Sequence, residues 1–90
     1  MTDREIFQRA LQEWGETAQT IVAFEEMSEL QKELCKNMRG ADNIEQIAEE
    51  IADVQIMLEQ MILLHGCEQA VQLHKKQKIE RLKNWLTLPE

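Results

Sequence analysis

The chain has 90 residues, with 17 acidic against 10 basic side chains and a formal charge of −7, which excludes a generally basic nucleic-acid binder. With 43% apolar and 4% aromatic residues it holds enough apolar surface for one small core and no more than a single domain. A chain this short buries only about 60% of its unfolded surface on folding, so its core is marginal alone and a homodimer or homotetramer is expected.

Three Gly and one Pro, with that Pro at residue 89, leave the interior almost unpunctuated, and the composition reads as helix throughout. No apolar run reaches the roughly 18 residues of a membrane span. The start, MTDREIFQRA, lacks the basic-then-apolar order of a signal peptide, and a cytoplasmic protein without membrane partners is expected. Cys35 and Cys67 are too far apart for a CxxC pair and read as buried or idle thiols.

Four helices follow from periodicity and stop signals. The first covers about Asp3 to Trp14, with Ile6, Phe7, Ala10, Leu11 and Trp14 at helical spacing, and stops at Gly15. The second runs from Thr17, a candidate N-cap, to Met38, with Ile21, Phe24, Met27, Leu30, Leu34 and Met38 three or four residues apart. Residues 37–43 hold Gly40 between Asn37 and Asn43 and read as a turn. The third helix has the strongest periodic signal, Ile44, Ile47, Ile51, Val54, Leu58 and Met61, and ends at His65-Gly66. The fourth spans about Glu68 to Leu86 and carries a basic cluster; Pro89 follows it.

One internal echo stands out. Glu25-Glu26-Met27-Ser28-Glu29-Leu30 and Glu49-Glu50-Ile51-Ala52-Asp53-Val54 share an acid-acid-x-x-acid-apolar pattern, 24 residues apart. If the second and third helices fold back on each other, residues at the same level have numbers with a constant sum. Glu26 with Asp53 and Glu29 with Glu50 both sum to 79, so each pair is symmetric about position 39.5, inside the turn. Each helix contributes two carboxylates at i, i+3, on one face, and axes about 8–10 Å apart let the four converge.

Neither block contains a Lys or Arg, so such a patch calls for a cation. Carboxylate-only ligation suits Mg²⁺, Mn²⁺ or Ca²⁺ and disfavours zinc, which takes Cys or His; Mg²⁺ is expected because few carboxylates hold it and it keeps positions open for water and phosphate. A di-iron bundle uses Glu-x-x-His, but Ile62 and Val71 stand three residues before His65 and His74. Mg²⁺ in a helical bundle points to phosphoanhydride chemistry, in which the ion neutralises phosphate oxygens.

At this point the chain resembles the MazG-like, all-α nucleoside triphosphate pyrophosphohydrolases, relatives of the dimeric dUTPases. The signature EExxE then ExxD is matched by Glu25-Glu26-Met27-Ser28-Glu29 and Glu50-Ile51-Ala52-Asp53, with 20 residues between them, inside the family's spacing. Trp14-Gly15, the string IAEEIADVQIML and Lys78-x-x-Arg81-Leu82 look like the short single-domain members found in phage and prophage genomes, and the resemblance covers essentially the whole of residues 1–90.

The resemblance implies a four-helix bundle whose central antiparallel hairpin carries the acidic site. It implies hydrolysis of an NTP or dNTP to the monophosphate and pyrophosphate as a nucleotide-pool house-cleaning activity. Glu26, Glu29, Glu50 and Asp53 would hold Mg²⁺, and Glu25 or Glu49 would position water or act as general base. Lys78 and Arg81, within the five cations of residues 75–83, would neutralise phosphates, and Gln19, Trp14 and Trp85 are candidates for contacting a base.

A rival from another class is a non-enzymatic acidic helical adaptor or inhibitor that binds a basic protein partner through its acid-rich helices. The charge balance bears on the choice: without the six acids of the two blocks, 11 acids remain against 10 bases. The net negative charge of the chain is concentrated in the two blocks.

Overall fold

The structure, a computed structural model, describes residues 1–86; Pro89 lies outside the described residues. Four helices follow in chain order, α1 Asp3–Trp14, α2 Glu16–Met38, α3 Ile44–His65 and α4 Glu68–Trp85, and no strand occurs among the described residues. The fold is all-α.

Each boundary has a local cause. The Thr2 hydroxyl oxygen accepts from the Glu5 backbone N–H at 3.1 Å, which caps α1. Gly15 then turns the chain in a single residue at φ 94°, a backbone shape that L side chains rarely adopt. Its carbonyl accepts from the Gln19 N–H at 3.1 Å, so α2 begins at Glu16. Thr17, expected to cap this helix, lies inside its first turn instead, because the one-residue link leaves no room for a longer lead-in.

The α2/α3 hairpin is the backbone of the fold, and its register is the predicted one. Gln19 Nε2 donates to Gln60 Oε1 at 2.6 Å, a pair whose numbers also sum to 79. At the turn, Asn43 Nδ2 donates to the Glu33 carbonyl at 2.9 Å and its Oδ1 accepts from Asn37 Nδ2 at 3.2 Å. Asn43 thus ties the start of α3 to α2, with no side-chain bond to its own helix. Glu33 also pairs with Lys36 at 3.5 Å.

The residues facing each other across this hairpin are mostly polar. Ala23 and Met57 are the only buried apolar side chains among the described residues, and they lie with buried Gln19, Asn43 and Gln60. Part of each apolar stripe read from the sequence lies beside this seam, while Leu30, Ile47, Val54 and Met61 are half-buried. Phe24, Met27 and Leu34 each follow an inward position (Ala23, Glu26, Glu33) by one residue, and all three are exposed. On α3, Ile44, Ile51 and Leu58 follow Asn43, Glu50 and Met57 in the same way and are also exposed. One residue is a rotation of about 100°. In an antiparallel pair viewed end-on the two helices wind in opposite senses, so this step carries both stripes to the same side of the hairpin.

The amide pair at the seam is consequential for so small a core. Replacing Gln60 by Ala leaves the buried Gln19 amide without its partner, at a cost of about 1–3 kcal/mol. We expect the melting temperature to drop by at least about 4 °C; an unchanged melt would show that the amide pair contributes nothing.

α1 packs on both α2 and α3, and α4 packs sparsely on α3 alone. An exposed Arg4–Glu68 ion pair at 3.3 Å links α1 to α4 and contributes little. Between α1, α3 and α4 lies an open groove of about 1160 Å³, lined by Phe7, Ile56, Ile62 and Val71 among others. Both thiols are free and neither is fully buried: Cys35 is exposed and Cys67 half-buried. No helix among the described residues is long and apolar enough to cross a membrane.

Candidate metal centre

The two acid blocks meet where the mirror arithmetic places them. Glu26 from α2 and Glu50 and Asp53 from α3 bring one carboxylate oxygen each within 4.8 Å of the others. All three are half-buried. Glu26 and Glu50 lie on the polar seam itself, so the hairpin cannot close without driving these carboxylates together.

Glu50 bears the cost most visibly. Its Oε2 is buried without a hydrogen-bond partner, a placement that an anionic oxygen tolerates only when something positive or protic answers it. Burial first, then the negative charges of Asp53 and Glu29, raise the Glu50 carboxyl above its ordinary value, while a hydrogen bond from Glu26 opposes the shift. Burial first, then the charge of Asp53 and hydrogen bonds to Asp53 and Glu50, raise Glu26.

A hard divalent cation fits this set. Three carboxylates offer only oxygen ligands, the orphaned oxygen of Glu50 supplies a free lone pair, and no Cys or His joins the group.

The other predicted residues stand at varying remove. Glu29 is exposed and outside the trio, although its charge reaches Glu50; Glu25 and Glu49 are exposed, and the charge of Glu49 reaches Glu50 too. Glu25, Glu29, Glu49 and Asp53 each precede an inner position by one residue, so they rotate away from the side that carries Phe24 and Ile51. The acids and the exposed apolar stripe thus occupy opposite sides of the hairpin.

Gln19, proposed for base contact, is buried and bonded to Gln60, which makes it a clasp of the hairpin. Trp14 is 64% exposed and Trp85 73% exposed, so neither anchors the core of the chain. Lys78 and Arg81 are exposed on α4 and make no ion pair among the described residues. Gln60 was missed by the sequence reading, although the sum of 79 pairs it with Gln19. Comparison with protein families, with curated proteins and with solved structures found no match for this chain, so the geometry of its carboxylates has to carry the functional argument.

Proposed function

We propose that the protein is a Mg²⁺-dependent nucleoside triphosphate pyrophosphohydrolase, with Mn²⁺ as an alternative ion, that converts an NTP or dNTP to the monophosphate and pyrophosphate. The observation that carries this reading is the trio Glu26, Glu50 and Asp53, closed to 4.8 Å from two helices with one buried oxygen unanswered. The likeness of the acid blocks to those of the MazG-like enzymes supplies the reaction.

In this proposal Glu26, Glu50 and Asp53 hold the ion, with Glu29 as the adjoining fourth carboxylate. When bound, the ion supplies neutralisation of phosphate oxygens and activation of water. Glu25 and Glu49, exposed beside the trio, orient the attacking water and accept its proton. Lys78 and Arg81 answer the charge of the phosphates, Arg81 with a planar fork suited to bidentate contact. Trp14 is the exposed surface for stacking a base, since the Gln19 amide is engaged within the hairpin. The working form is a homo-oligomer, and the role is house-cleaning of the cytoplasmic nucleotide pool.

The direct test offers purified protein a panel of ribo- and deoxyribonucleoside triphosphates, with Mg²⁺, with Mn²⁺ and with chelator, and measures pyrophosphate release. Turnover of at least one nucleotide, dependent on the ion, is expected. No release from any nucleotide, or release that persists in chelator, overturns the proposal and leaves the acidic adaptor as the reading to pursue.

A further inference from the structure

We propose that α4 is a hinged arm that closes over the groove between α1 and α3, laying its basic and apolar stripe antiparallel along α3. Closure does not depend on the proposed activity; only its consequence for Arg81, given below, rests on that reading.

In this structure α4 packs on α3 alone, and sparsely. Every residue of the helix is exposed except Val71 and Lys83, which are half-buried. Leu73, Ile79, Leu82 and Trp85 stand 51–73% exposed. A helix of 18 residues without a packed face is only marginally stable in water, because helices in proteins draw most of their stability from packing. The whole chain shows the same deficit. Its accessible surface is 7298 Å², whereas monomers of its 10.6 kDa mass expose about 5,500 Å². The radius of gyration is 16.2 Å, against about 12 Å for a compact domain of this length. An excess of about 1,800 Å² is close to the roughly 1,600 Å² that two surfaces lose in a standard contact.

The link and the groove allow that contact within one chain. Gly66 and Cys67 alone separate α3 from α4, and two residues suffice for an antiparallel helix hairpin. Gly66 sits at φ 59°, where glycine changes conformation at little steric cost, and Cys67 gives α4 no side-chain cap. The exposed Arg4–Glu68 pair restrains the arm weakly. At about 1160 Å³ the groove exceeds the roughly 300–1,000 Å³ of a small-ligand pocket and suits an element of the fold.

Charge and register select the arm as the occupant. Val71 and Lys75 already line the groove, and steps of three and four residues carry their face on to Lys78, Leu82 and Trp85. In a hairpin about Gly66-Cys67, residues at one level have numbers that sum to 133 or 134. Lys75 then comes level with Glu59, Lys78 with Gln55 and Arg81 with Asp53. Glu59 and Gln55 belong to the groove wall. Residues 75–83 hold five cations against one acid, whereas residues 1–74 hold 15 acids against five bases, so the arm is drawn to the body of its own chain. The short link keeps arm and groove at an effective concentration on the order of millimolar, ahead of any free partner. For the proposed hydrolysis, closure brings Arg81 level with Asp53 of the trio, with which it makes no ion pair in the open form.

The test uses the full chain without ion or nucleotide, so its outcome is separate from that of the turnover assay. In a Cys35→Ser, Cys67→Ser background, Gln55→Cys with Lys78→Cys places two thiols across the closed contact, and Gln55→Cys with Gln77→Cys places the second on the far side of α4. All three positions are exposed, so the substitutions spare the core. The facing pair is expected to form an intrachain disulfide at least about tenfold faster than the far pair, and 1 M salt is expected to slow it. Trp85, left as the sole tryptophan by Trp14→Phe, is expected to be shielded from acrylamide, and Leu82→Glu is expected to remove that shielding. Equal rates for the two pairs overturn the proposal. So does a disulfide that forms between chains, which marks an arm exchanged with a second copy. Trp85 quenched as freely as in the Leu82→Glu variant, or shielded only when phosphatidylserine vesicles are added, overturns it as well.

Discussion

Glu50→Gln is expected to abolish turnover and at the same time to stabilise the metal-free protein. The two effects share one origin. Glu50 holds a buried oxygen with no partner and faces Asp53 and Glu29, so without a cation its charge is unfavourable, and in the proposed function it serves only to hold one. The neutral amide keeps the shape, removes the repulsion and removes the ligand. We expect pyrophosphate release to fall by at least about 100-fold, beyond the loss seen when only a supporting neighbour of a metal ligand is changed. Asp53→Asn should behave alike, since Asp53 is the strongest charged neighbour of both Glu26 and Glu50.

Thermal melts separate a metal site from a merely acidic surface. An ion at 100 times its Kd stabilises a folded protein by about 2.7 kcal/mol. In a domain of this size that amounts to roughly 10 °C or more. Wild-type protein should show this rise in Mg²⁺ or Mn²⁺, and Glu50→Gln should start from a higher melting temperature in chelator and gain almost nothing from either ion. A variant that melts below wild type in chelator, or gains as much as wild type from the ion, would contradict the account of the trio.

The second large expectation concerns pH. Glu26 and Glu50 have carboxyl values raised in the folded protein above the 4.5 of an unperturbed glutamate. The folded state therefore binds their protons more tightly than the unfolded chain does. Their contribution to stability is fully present below about pH 4.5 and is lost as pH rises through their folded values. In chelator, the advantage of Glu50→Gln over wild type should accordingly be smallest near pH 4.5 and widen toward neutrality. With Mn²⁺ the order should reverse, because the ion competes with protons for the same oxygens and its benefit to wild type grows over the same interval. Melts of both proteins across this range, with and without the ion, measure the two trends together. An advantage of the variant that is independent of pH would remove titration of the trio from the explanation.

Much of this architecture is legible in the residues themselves. The helix boundaries follow from Thr2, Gly15, Gly40 and Gly66, since caps and left-handed glycines act within a few residues of the chain. The hairpin register is legible too: a short turn constrains two long helices to a constant sum of residue numbers, and Glu26, Asp53, Gln19 and Gln60 all obey it. That is why three of four proposed carboxylate ligands come together. Glu29 stays outside the trio, exposed on α2, although its charge reaches Glu50.

What the residues alone did not decide is which face of each helix turns inward. Periodicity shows that Ile44, Ile51 and Leu58 share a side, and the usual expectation buries such a stripe within the chain. In the folded chain the polar seam of Gln19, Glu26, Asn43, Glu50 and Gln60 closes instead; of the stronger apolar stripe Ile44, Ile51 and Leu58 stay exposed, while Ile47, Val54 and Met61 are half-buried. A helical pattern is a property of one segment, whereas the choice of inner face depends on what each face meets across the hairpin. Interhelical hydrogen bonds at Gln19–Gln60 and Asn43–Glu33 favour the polar seam. The sequence thus determined the four helices, their register and the identity of the acids. The tertiary structure decided that those acids are pressed together on one side of the hairpin and that its apolar surface is left on the other.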